Sequence, residues 1–255
     1  MSDGFPDPAQ VQELSEMIAG AKRIVFFTGA GISTESGIPD FRSPGGLWTK
    51  FQPIDFRDFM RSEEMRKESW RRKFGMEGTF QAAEPNRGHR AVEKLIRDGR
   101  ASSVITQNVD GLHQASGVPD EKVIELHGNS TYAKCLDCGT RKELAEIREA
   151  FERDETLPSC IFCGGIVKTA TISFGQSMPV DEMRRAEEET LQADLFIVLG
   201  SSLVVYPAAG FPRVAKENGS QLVILNRDPT DLDVFADLVL NAEIGPTLGD
   251  AVGIN

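Results

Sequence analysis

Hydrophobic positions along this chain form two kinds of pattern, which alternate. Six short runs rich in β-branched residues are typical of strands buried on both faces, and between several of them apolar residues recur at helical spacing. Alternating strands and helices predict an α/β fold with a doubly wound parallel sheet, which binds ligands outside the carboxyl ends of its strands. The runs are Arg23–Thr28, Ser103–Thr106, Val123–Leu126, Leu195–Leu199, Leu222–Leu225 and, more weakly, Asp237–Leu240, and the helical patterns are Val11–Ala19, Gly88–Arg97 and Asp181–Gln192.

Two segments interrupt this alternation. Residues 43–87 contain both tryptophans and are interpreted as an inserted helical module. Residues 128–175 contain all four cysteines around a charged stretch, Lys142–Glu152, that is predicted to be helical. We expect the two insertions to form a smaller lobe, with a site in the cleft beside the sheet domain. The predicted unit spans residues 1–255, with the sheet domain at 9–42, 88–127 and 176–252.

Composition and charge narrow the function classes. The chain has 255 residues, with 28 Lys and Arg against 39 Asp and Glu, and a net charge of −11. This charge disfavours nucleic-acid partners, since binding them needs cations that face phosphates. The apolar runs are far shorter than the roughly 18 residues of a membrane span, and the polar N-terminal residues lack the apolar core of a signal peptide. We therefore expect a cytoplasmic protein that does not bind membranes.

The four cysteines, Cys135, Cys138, Cys160 and Cys163, form the pattern C-x2-C-x21-C-x2-C with none left over. Two knuckles of this spacing are typical of a tetrahedral zinc site. A pair of disulfides or a redox C-x-x-C are the alternatives, although nothing in the sequence indicates an oxidising compartment. Four thiolates leave no open coordination position, so we expect a structural Zn²⁺ that holds a zinc-ribbon module together.

A glycine-rich turn follows the first predicted strand, in the sequence Gly29-Ala30-Gly31-Ile32-Ser33. Such a turn before a helix presents backbone N–H groups to a diphosphate. Thr34 stands where a third glycine would complete G-x-G-x-x-G, and the acidic residue expected about 20 residues further on is missing. The motif favours a dinucleotide but not an ordinary nicotinamide dehydrogenase, and a plain tight turn is the alternative.

Polar residues also follow the next predicted strands. The stretch Thr106–His113 places amides, a carboxylate and an imidazole where they suit a sugar and a carboxamide, with an Asx-rich turn as the alternative. His127 ends another strand, where its near-neutral pKa suits a general base. Of the other two histidines, His89 is predicted to open a helix and His113 to make local packing or hydrogen bonds.

Two later strands end in small polar residues, Gly200-Ser201-Ser202 and Asn226, which are placed to contact ribose or adenine. Taken together, the motifs resemble the sirtuins (Sir2-like proteins) of bacterial or archaeal type, which are NAD-dependent protein lysine deacylases with a Rossmann-like sheet domain. The matching motifs are Gly29–Ser33, Glu35–Arg42, Thr106–His113, Leu126–Gly128, the paired C-x-x-C, Gly200–Leu203 and Asn226.

The resemblance implies that NAD is a co-substrate and lies extended across the cleft. Its diphosphate would lie at the glycine-rich turn, its nicotinamide at Val109 and Asp110, the adjoining ribose at Gln107 and Asn108, and its adenosine half at the later strands. The implied cofactor contacts are Gly29, Ala30, Gly31, Ile32, Ser33, Thr34, Asp40, Phe41, Arg42, Gln107, Asn108, Val109, Asp110, His127, Gly200, Ser201, Ser202, Asn226, Arg227 and Ile244.

The resemblance also implies the reaction. An acyl-lysine carbonyl oxygen attacks the ribose carbon as nicotinamide leaves, and His127 then acts as general base on a ribose hydroxyl. Asn108 is the second implied catalytic residue. The products are free lysine, nicotinamide and O-acyl-ADP-ribose. The acyl-lysine peptide would bind as an added strand, with implied contacts at Ser173, Phe174, Gly175, Leu203, Val204 and Val205.

The sequence departs from the sirtuin pattern beside the peptide. Thr169 stands where the family commonly has Pro, and Gln176 where it has Glu, so the resemblance does not define the preferred peptide. The sequence does not define the substrate proteins or the oligomeric state either. The Tyr-x-x-Arg pair of the succinyl-selective branch is not found in the helical insertion, which favours neutral acyl groups. The alternative functions are a mono-ADP-ribosyltransferase that uses the same NAD site, and a non-catalytic NAD-responsive zinc scaffold.

Overall fold

The computed structural model describes residues 7–43 and 45–254. The helices are α1 (Pro8–Gly20), α2 (Leu47–Lys50), α3 (Phe56–Arg61), α4 (Glu63–Ala82), α5 (Arg87–Arg97), α6 (Leu112–Ala115), α7 (Leu144–Asp154), α8 (Val180–Gln192), α9 (Phe211–Glu217) and α10 (Ile244–Val252). The strands are β1 (Ile24–Thr28), β2 (Ala101–Thr106), β3 (Val123–Glu125), β4 (Gly128–Cys135), β5 (Arg141–Lys142), β6 (Val167–Thr171), β7 (Leu195–Leu199), β8 (Gln221–Leu225) and β9 (Leu238–Leu240).

Six strands form a parallel sheet in the order β3-β2-β1-β7-β8-β9. Strands β1 and β7 are buried along their whole length, because helices cover both faces of the sheet. The strand order reverses between β1 and β7, so the chain leaves these two strands toward opposite faces and a crevice opens beyond their ends. The predicted doubly wound parallel sheet is confirmed.

Two hydrophobic cores lie on opposite faces of this sheet, because successive side chains of a strand point to opposite faces. Ile24 and Phe26 pack with residues of α1, α5 and α10, whereas Val25 and Phe27 pack with residues of α8 and α9. All four side chains are completely buried. Each contributes roughly 1.5–3 kcal/mol, and together such contacts fix the positions of the loops at the carboxyl edge.

The two insertions share one core and form a smaller lobe. Strands β4, β5 and β6 form an antiparallel sheet in the order β5-β4-β6. Trp70 and Phe74 of α4 stack with their ring centroids 5.5 Å apart. They pack in the same cluster as Cys135, Phe151 and Val167 of the cysteine-bearing insertion. Residues of the helical insertion therefore depend on the cysteine-bearing insertion for their packing.

The structure also contains elements that the hydrophobic pattern did not predict. The antiparallel sheet was missed because β4 and β6 carry lysines and small polar residues in place of an apolar run. Helices α9 and α10 were missed because each contains proline, and α10 contains glycine as well. The weak sixth run forms the edge strand β9, and the predicted helix at Lys142–Glu152 corresponds to α7. Among the described residues, no helix combines the length and the apolar character that crossing a bilayer requires.

Candidate active site

The loops that follow β1 and β7 cross in close contact at the reversal of strand order. The backbone N–H of Gly31 donates to the carbonyl oxygen of Gly200 at 2.8 Å. A Cβ atom on Gly31 would lie 2.7 Å from the Cα atom of Gly200, and Gly200 has a φ of +65°, which favours glycine. The glycine-rich turn is thus required for this crossing, and it opens a 3-10 helix, Ala30–Ser36.

A cavity of about 590 Å³, here called the switch-point cavity, opens between this edge of the sheet and the smaller lobe. Its volume falls in the range of small-molecule sites. It gathers side chains that are widely separated in the sequence. The predicted residues that line it are Gly29, Ala30, Gly31, Thr34, Asp40, Phe41, Arg42, Gln107, Asn108, Val109, His127, Ser173, Phe174, Gly175, Gly200, Ser201, Ser202, Val204, Val205, Asn226, Arg227 and Ile244.

Four predicted site residues, Ile32, Ser33, Asp110 and Leu203, lie behind the cavity wall. Ile32 and Leu203 are buried in the two cores of the sheet domain. The Ser33 hydroxyl donates to Asp110 Oδ2 at 2.7 Å, and the backbone N–H of Leu112 donates to Asp110 Oδ1 at 2.9 Å. Burial raises the pKa of Asp110, and these hydrogen bonds, which lower it, offset only part of that effect. The four side chains therefore support the cavity from behind in this structure.

Asn108 presents its side-chain oxygen for an external donor. Its Nδ2 group donates to the carbonyl oxygen of Gly29 and to the Ser33 hydroxyl oxygen, both at 3.1 Å. Its backbone N–H donates to the Thr106 hydroxyl oxygen at 3.0 Å. Both amide hydrogens are thereby used, and the residue is only 7% exposed. Asn108 is held rigidly at the cavity wall, with Oδ1 left to accept a hydrogen bond from a ligand hydroxyl.

His127 is arranged as a neutral base. Its Nδ1 atom lies 3.1 Å from the carbonyl oxygen of Gln107. A carbonyl oxygen can only accept, so Nδ1 carries the proton and Nε2 carries the lone pair. Burial lowers the pKa of His127, and the nearby positive charge of Arg42 lowers it further, whereas the hydrogen bond to Gln107 opposes the shift. The ring is therefore unprotonated, and able to accept a proton, near neutral pH.

Histidines 89 and 113 lie outside the cavity and have the structural roles predicted for them. The backbone N–H of Asn86 donates to His89 Nδ1 within the capping box that opens α5. His113 Nε2 lies 2.9 Å from the Thr28 hydroxyl, which donates to the Thr106 hydroxyl oxygen at 2.8 Å. Burial lowers the pKa of His113 to about 4. The site therefore rests on a buried polar network that stays neutral.

Trp48 is a cavity residue that the sequence did not indicate as functional. The Arg42 guanidinium carbon lies 4.2 Å from the centre of the Trp48 ring. The rings of Phe41 and Phe174 lie 5.6 Å and 5.5 Å from it, centroid to centroid. The sequence offered one signal for it: Trp48 is one of only two tryptophans in the chain, and both lie in this insertion. The remaining cavity residues not predicted as site residues are Ser43, Pro53, Ile54, Ser69, Arg72, Thr171, Ile172, Gln176, Met178, Tyr206, Pro207, Asp228, Ala242 and Glu243.

The four cysteines form a compact cluster in the smaller lobe. The Sγ atoms of Cys135 and Cys163 lie 3.5 Å apart, and those of Cys138 and Cys160 lie 3.6 Å apart. These distances are close to the about 3.8 Å between two thiolates bound to one tetrahedral Zn²⁺ at about 2.3 Å, and far from the about 2.05 Å of a disulfide. The donor set fits zinc.

A doubly wound parallel sheet, a cavity at the reversal of strand order and a lobe with a four-cysteine cluster define the class of this α/β protein. The family model described as Sir2 family matches residues 29–207. The chain belongs to the Sir2 family, and the family predicted from the motifs is confirmed.

Known proteins match this chain over nearly its whole length. It is 59% identical over 243 residues to an NAD-dependent protein deacetylase of Rhodopseudomonas palustris, which covers 95% of this chain and 96% of that protein. A Sir2 structure with a deacetylated p53 peptide and 3′-O-acetyl ADP-ribose has a TM-score of 0.85 and 35% identity, over 96% of this chain and 99% of that one. Sir2Tm bound to a propionylated peptide has a TM-score of 0.81 and 36% identity, over 93% and 95% of the two chains.

Proposed function

We propose that this chain is an NAD-dependent protein lysine deacylase that acts as a deacetylase. One observation carries the proposal: the glycine-rich turn, the amide of Asn108 and the neutral base His127 line one cavity. The full-length similarity to a protein named NAD-dependent protein deacetylase supports it, as does the similarity to a Sir2 structure that holds a deacetylated peptide and an acetylated ADP-ribose.

NAD would lie across the switch-point cavity. The diphosphate would lie beside the loop crossing, where Gly31 and Gly200 carry no side chain to obstruct a close approach to the backbone. Gln107 would contact the ribose next to nicotinamide. Its Nε2 group donates at 2.8 Å to the hydroxyl oxygen of Ser201, which would contact the adenosine half. Asn226 and Arg227, which follow β8, would contact the adenosine half. Behind the nicotinamide, Asp110 would hold the carboxamide site through its bonds to Ser33 and Leu112.

The residues of the cavity then carry out the acyl transfer. NAD supplies a ribose carbon whose bond to nicotinamide breaks as the acyl oxygen attacks. Oδ1 of Asn108 accepts a hydrogen bond from a ribose hydroxyl and orients it, and Nε2 of His127 removes a hydroxyl proton so that this oxygen can attack the acyl carbon. Overall, acyl-lysine, NAD and one water molecule give free lysine, nicotinamide and O-acyl-ADP-ribose.

The acyl-lysine peptide would add as a strand between the segment at residues 171–176, here called the peptide segment, and the loop after β7. The backbone N–H of Ile172 donates to the carbonyl oxygen of His127 at 2.8 Å, so this segment is tied directly to the base. Phe174 and Val204 are 48% and 50% exposed and both line the cavity, so a peptide in the groove would cover them. The Gln176 side chain accepts from the backbone N–H of Ser173 at 3.1 Å, which orders the turn.

The cysteine cluster would hold a structural Zn²⁺. With four thiolates the ion has no open coordination position, so it would not take part in the reaction. Reduced thiolates of this kind persist in a reducing compartment, which is why we place the protein in the cytoplasm. The acyl-lysine peptide is its proposed partner, and the acidic net charge disfavours nucleic acid.

The test uses the zinc-replete protein, NAD and a panel of acyl-lysine peptides, with the products measured by mass spectrometry. We expect the peptide to lose its acyl group while nicotinamide and O-acyl-ADP-ribose appear in equal amounts. A peptide that gains ADP-ribose instead would establish the transferase alternative. Binding of NAD in calorimetry without nicotinamide release would establish the scaffold, and no binding of NAD would refute the proposal.

A further inference from the structure

Lys168 is a buried cation next to the peptide segment, and the proposed reaction does not use it. It lies on β6 and is only 3% exposed. Its Nζ atom lies 5.9 Å from the centre of the Phe59 ring of α3, and this ring is itself buried. Within the described part of the chain, Nζ bonds to carbonyl and hydroxyl oxygens and to no carboxylate. Because burying an ammonium group is costly unless hydrogen bonds compensate it, Lys168 depends on these oxygens.

Three oxygen atoms accept hydrogen bonds from the Lys168 ammonium group. The carbonyl oxygen of Thr171 lies 2.5 Å from Nζ. The carbonyl oxygen of Thr169 and the hydroxyl oxygen of Thr171 both lie 3.4 Å from it. An ammonium group has three hydrogens to donate, so these acceptors use all of them. Thr171 is the first residue of the peptide segment and lines the switch-point cavity, so the buried charge is compensated by the chain that enters the peptide site.

The peptide segment continues a strand at the edge of a sheet. Strand β6 is the outer strand in the order β5-β4-β6, so its free edge can accept an added strand. Two backbone bonds of 2.8 Å attach the segment further along, from the N–H of Ile172 to His127 and from the N–H of Phe56 to Phe174. Lys168 supplies a third attachment. A shift of the segment would leave the ammonium buried without its acceptors, and this cost favours one conformation of the segment.

We propose that Lys168 is a positioning residue for the acyl-lysine peptide. Through the carbonyl oxygen of Thr171, its ammonium group holds the peptide segment in the conformation to which the peptide adds as a strand. The inference rests on the proposed function, because it concerns the peptide site of the same cavity. Lys168 would act on the affinity for the peptide and not on the affinity for NAD.

The charge of Lys168 gives this role a pH dependence. Burial lowers the pKa of Lys168 to about 8, so the ammonium form predominates below this pH and the neutral amine, a weaker donor, above it. Asp55 pairs with Arg57, and Arg66 donates to backbone carbonyl oxygens of α3. The charged residues on the elements packed nearby are Lys134 on β4, Asp55, Arg57, Asp58 and Arg61 in or next to α3, and Arg66 on α4. Peptide affinity should therefore be retained at pH 7 and fall as the pH rises through about 8.

The first experiment measures peptide affinity by calorimetry in the absence of NAD. The probe is an acetyl-lysine peptide with an acetylated N-terminus and no side chain that titrates between pH 7 and pH 9. We expect Lys168→Met, which keeps the length of the side chain without its charge, to weaken peptide binding at pH 7 by about 10-fold and to change NAD binding by less than about 2-fold. The wild-type protein should lose about 5-fold in peptide affinity between pH 7 and pH 9. Lys168→Arg, whose charge persists at both pH values, should bind the peptide without this loss.

Lys134→Met is the matched control. Lys134 is the cross-strand partner of Lys168 on β4, but its side chain is exposed and its Nζ atom lies 5.5 Å from the centre of the Tyr132 ring. The variant is expected to keep the wild-type peptide affinity at both pH values. Wild-type peptide affinity in Lys168→Met, or an equal weakening of peptide and NAD binding, would overturn the positioning role.

A second readout follows the peptide segment itself and needs neither ligand nor activity. Amide hydrogen exchange of residues 171–176, measured by mass spectrometry, should be faster in Lys168→Met than in the wild-type protein and unchanged in Lys134→Met. Unchanged exchange in Lys168→Met would contradict the proposal. A wild-type protein that neither binds nor deacetylates the peptide would refute the proposed function, whereas an active wild-type protein with these unchanged readouts in Lys168→Met would refute the role of Lys168 alone.

Discussion

The Nδ1–H group of His127 donates to the backbone carbonyl oxygen of Gln107 across 3.1 Å. This bond decides the chemistry of the ring, because it fixes the proton on Nδ1 and leaves Nε2 as the base. The same Gln107 lies at the end of β2, beside the Asn108 amide. The base and the proposed ribose-binding amides are therefore positioned by one backbone segment.

Replacing His127 with alanine is expected to slow deacylation by about 10²–10⁴, the typical contribution of a general base. In the proposed mechanism nicotinamide leaves before the proton transfer, so exchange of labelled nicotinamide into NAD should persist in His127→Ala when peptide is present. Both rates are measured on the same preparation, with circular dichroism to verify the fold. A folded variant that deacylates at nearly the wild-type rate would remove His127 from its proposed role.

The pH dependence of kcat/KM should follow the His127 ring. Burial and the charge of Arg42 lower its pKa below the ordinary 6.5, and only the neutral ring is a base. Activity is therefore retained above that lowered pKa and lost as the pH falls through it, so the midpoint of the acid limb should lie below 6.5. Arg42→Gln should raise the midpoint, whereas Arg213→Gln, whose charge is paired with Glu217 on α9 outside the cavity, should not. An acid-limb midpoint above 6.5 in the wild-type protein would contradict this interpretation.

Loss of the metal should unfold the smaller lobe. Structural zinc contributes about 10–16 kcal/mol of apparent binding energy, and Cys135 lies in the same core as Trp70. Cys135→Ala is therefore expected to lower Tm and the helical order of α4. A chelator should lower both as well, and adding zinc back should restore them. Ile161→Ala is the matched control, since this knuckle residue is 78% exposed. An unchanged Tm in chelator, with zinc shown to be removed, would refute a structural metal.

The loop crossing gives a pair of glycine variants with opposite expectations. Gly31→Ala places a methyl group against the backbone of Gly200, so we expect a loss of about 1–3 kcal/mol in the free energy of unfolding and about 10²-fold in kcat/KM. Gly20→Ala, in α1 with open space around it, should be neutral or stabilising by up to about 1 kcal/mol. Chemical denaturation and steady-state kinetics measure both. Full activity in Gly31→Ala would show that the crossing can relax.

Acyl selectivity should depend on how Arg72 is paired. Its Nε group donates to Glu68 at 2.7 Å and its Nη1 group to the carbonyl oxygen of Gln52 at 2.6 Å, so its charge is already compensated. We expect a higher kcat/KM for acetyl-lysine than for succinyl-lysine, and a shift of about 2–5-fold toward succinyl-lysine in Glu68→Gln. Glu64→Gln is the control, because Glu64 pairs with Arg71. A wild-type preference for succinyl-lysine would overturn the prediction.

Local sequence was sufficient wherever one short segment carried the whole signal. The run at Leu195–Leu199 forms a strand because every residue must be apolar between two helical layers. The C-x2-C knuckles indicated a shared metal site because the spacing brings two thiolates to one ion. The ordered motifs identified the family, and His127 lies in the cavity where the motif placed it.

Tertiary structure decided what depends on segments far apart in the chain. Trp48 and Phe174 are in contact only because the two insertions fold against each other. The local sequence around either residue does not predict this contact. Asp110 and Ser33, which lie on the loops after β2 and β1, are hydrogen-bonded to each other, a contact that neither segment's local sequence indicates. Sequence periodicity fixes which residues are buried, whereas the packing of loops across the sheet edge determines which polar groups face the ligand.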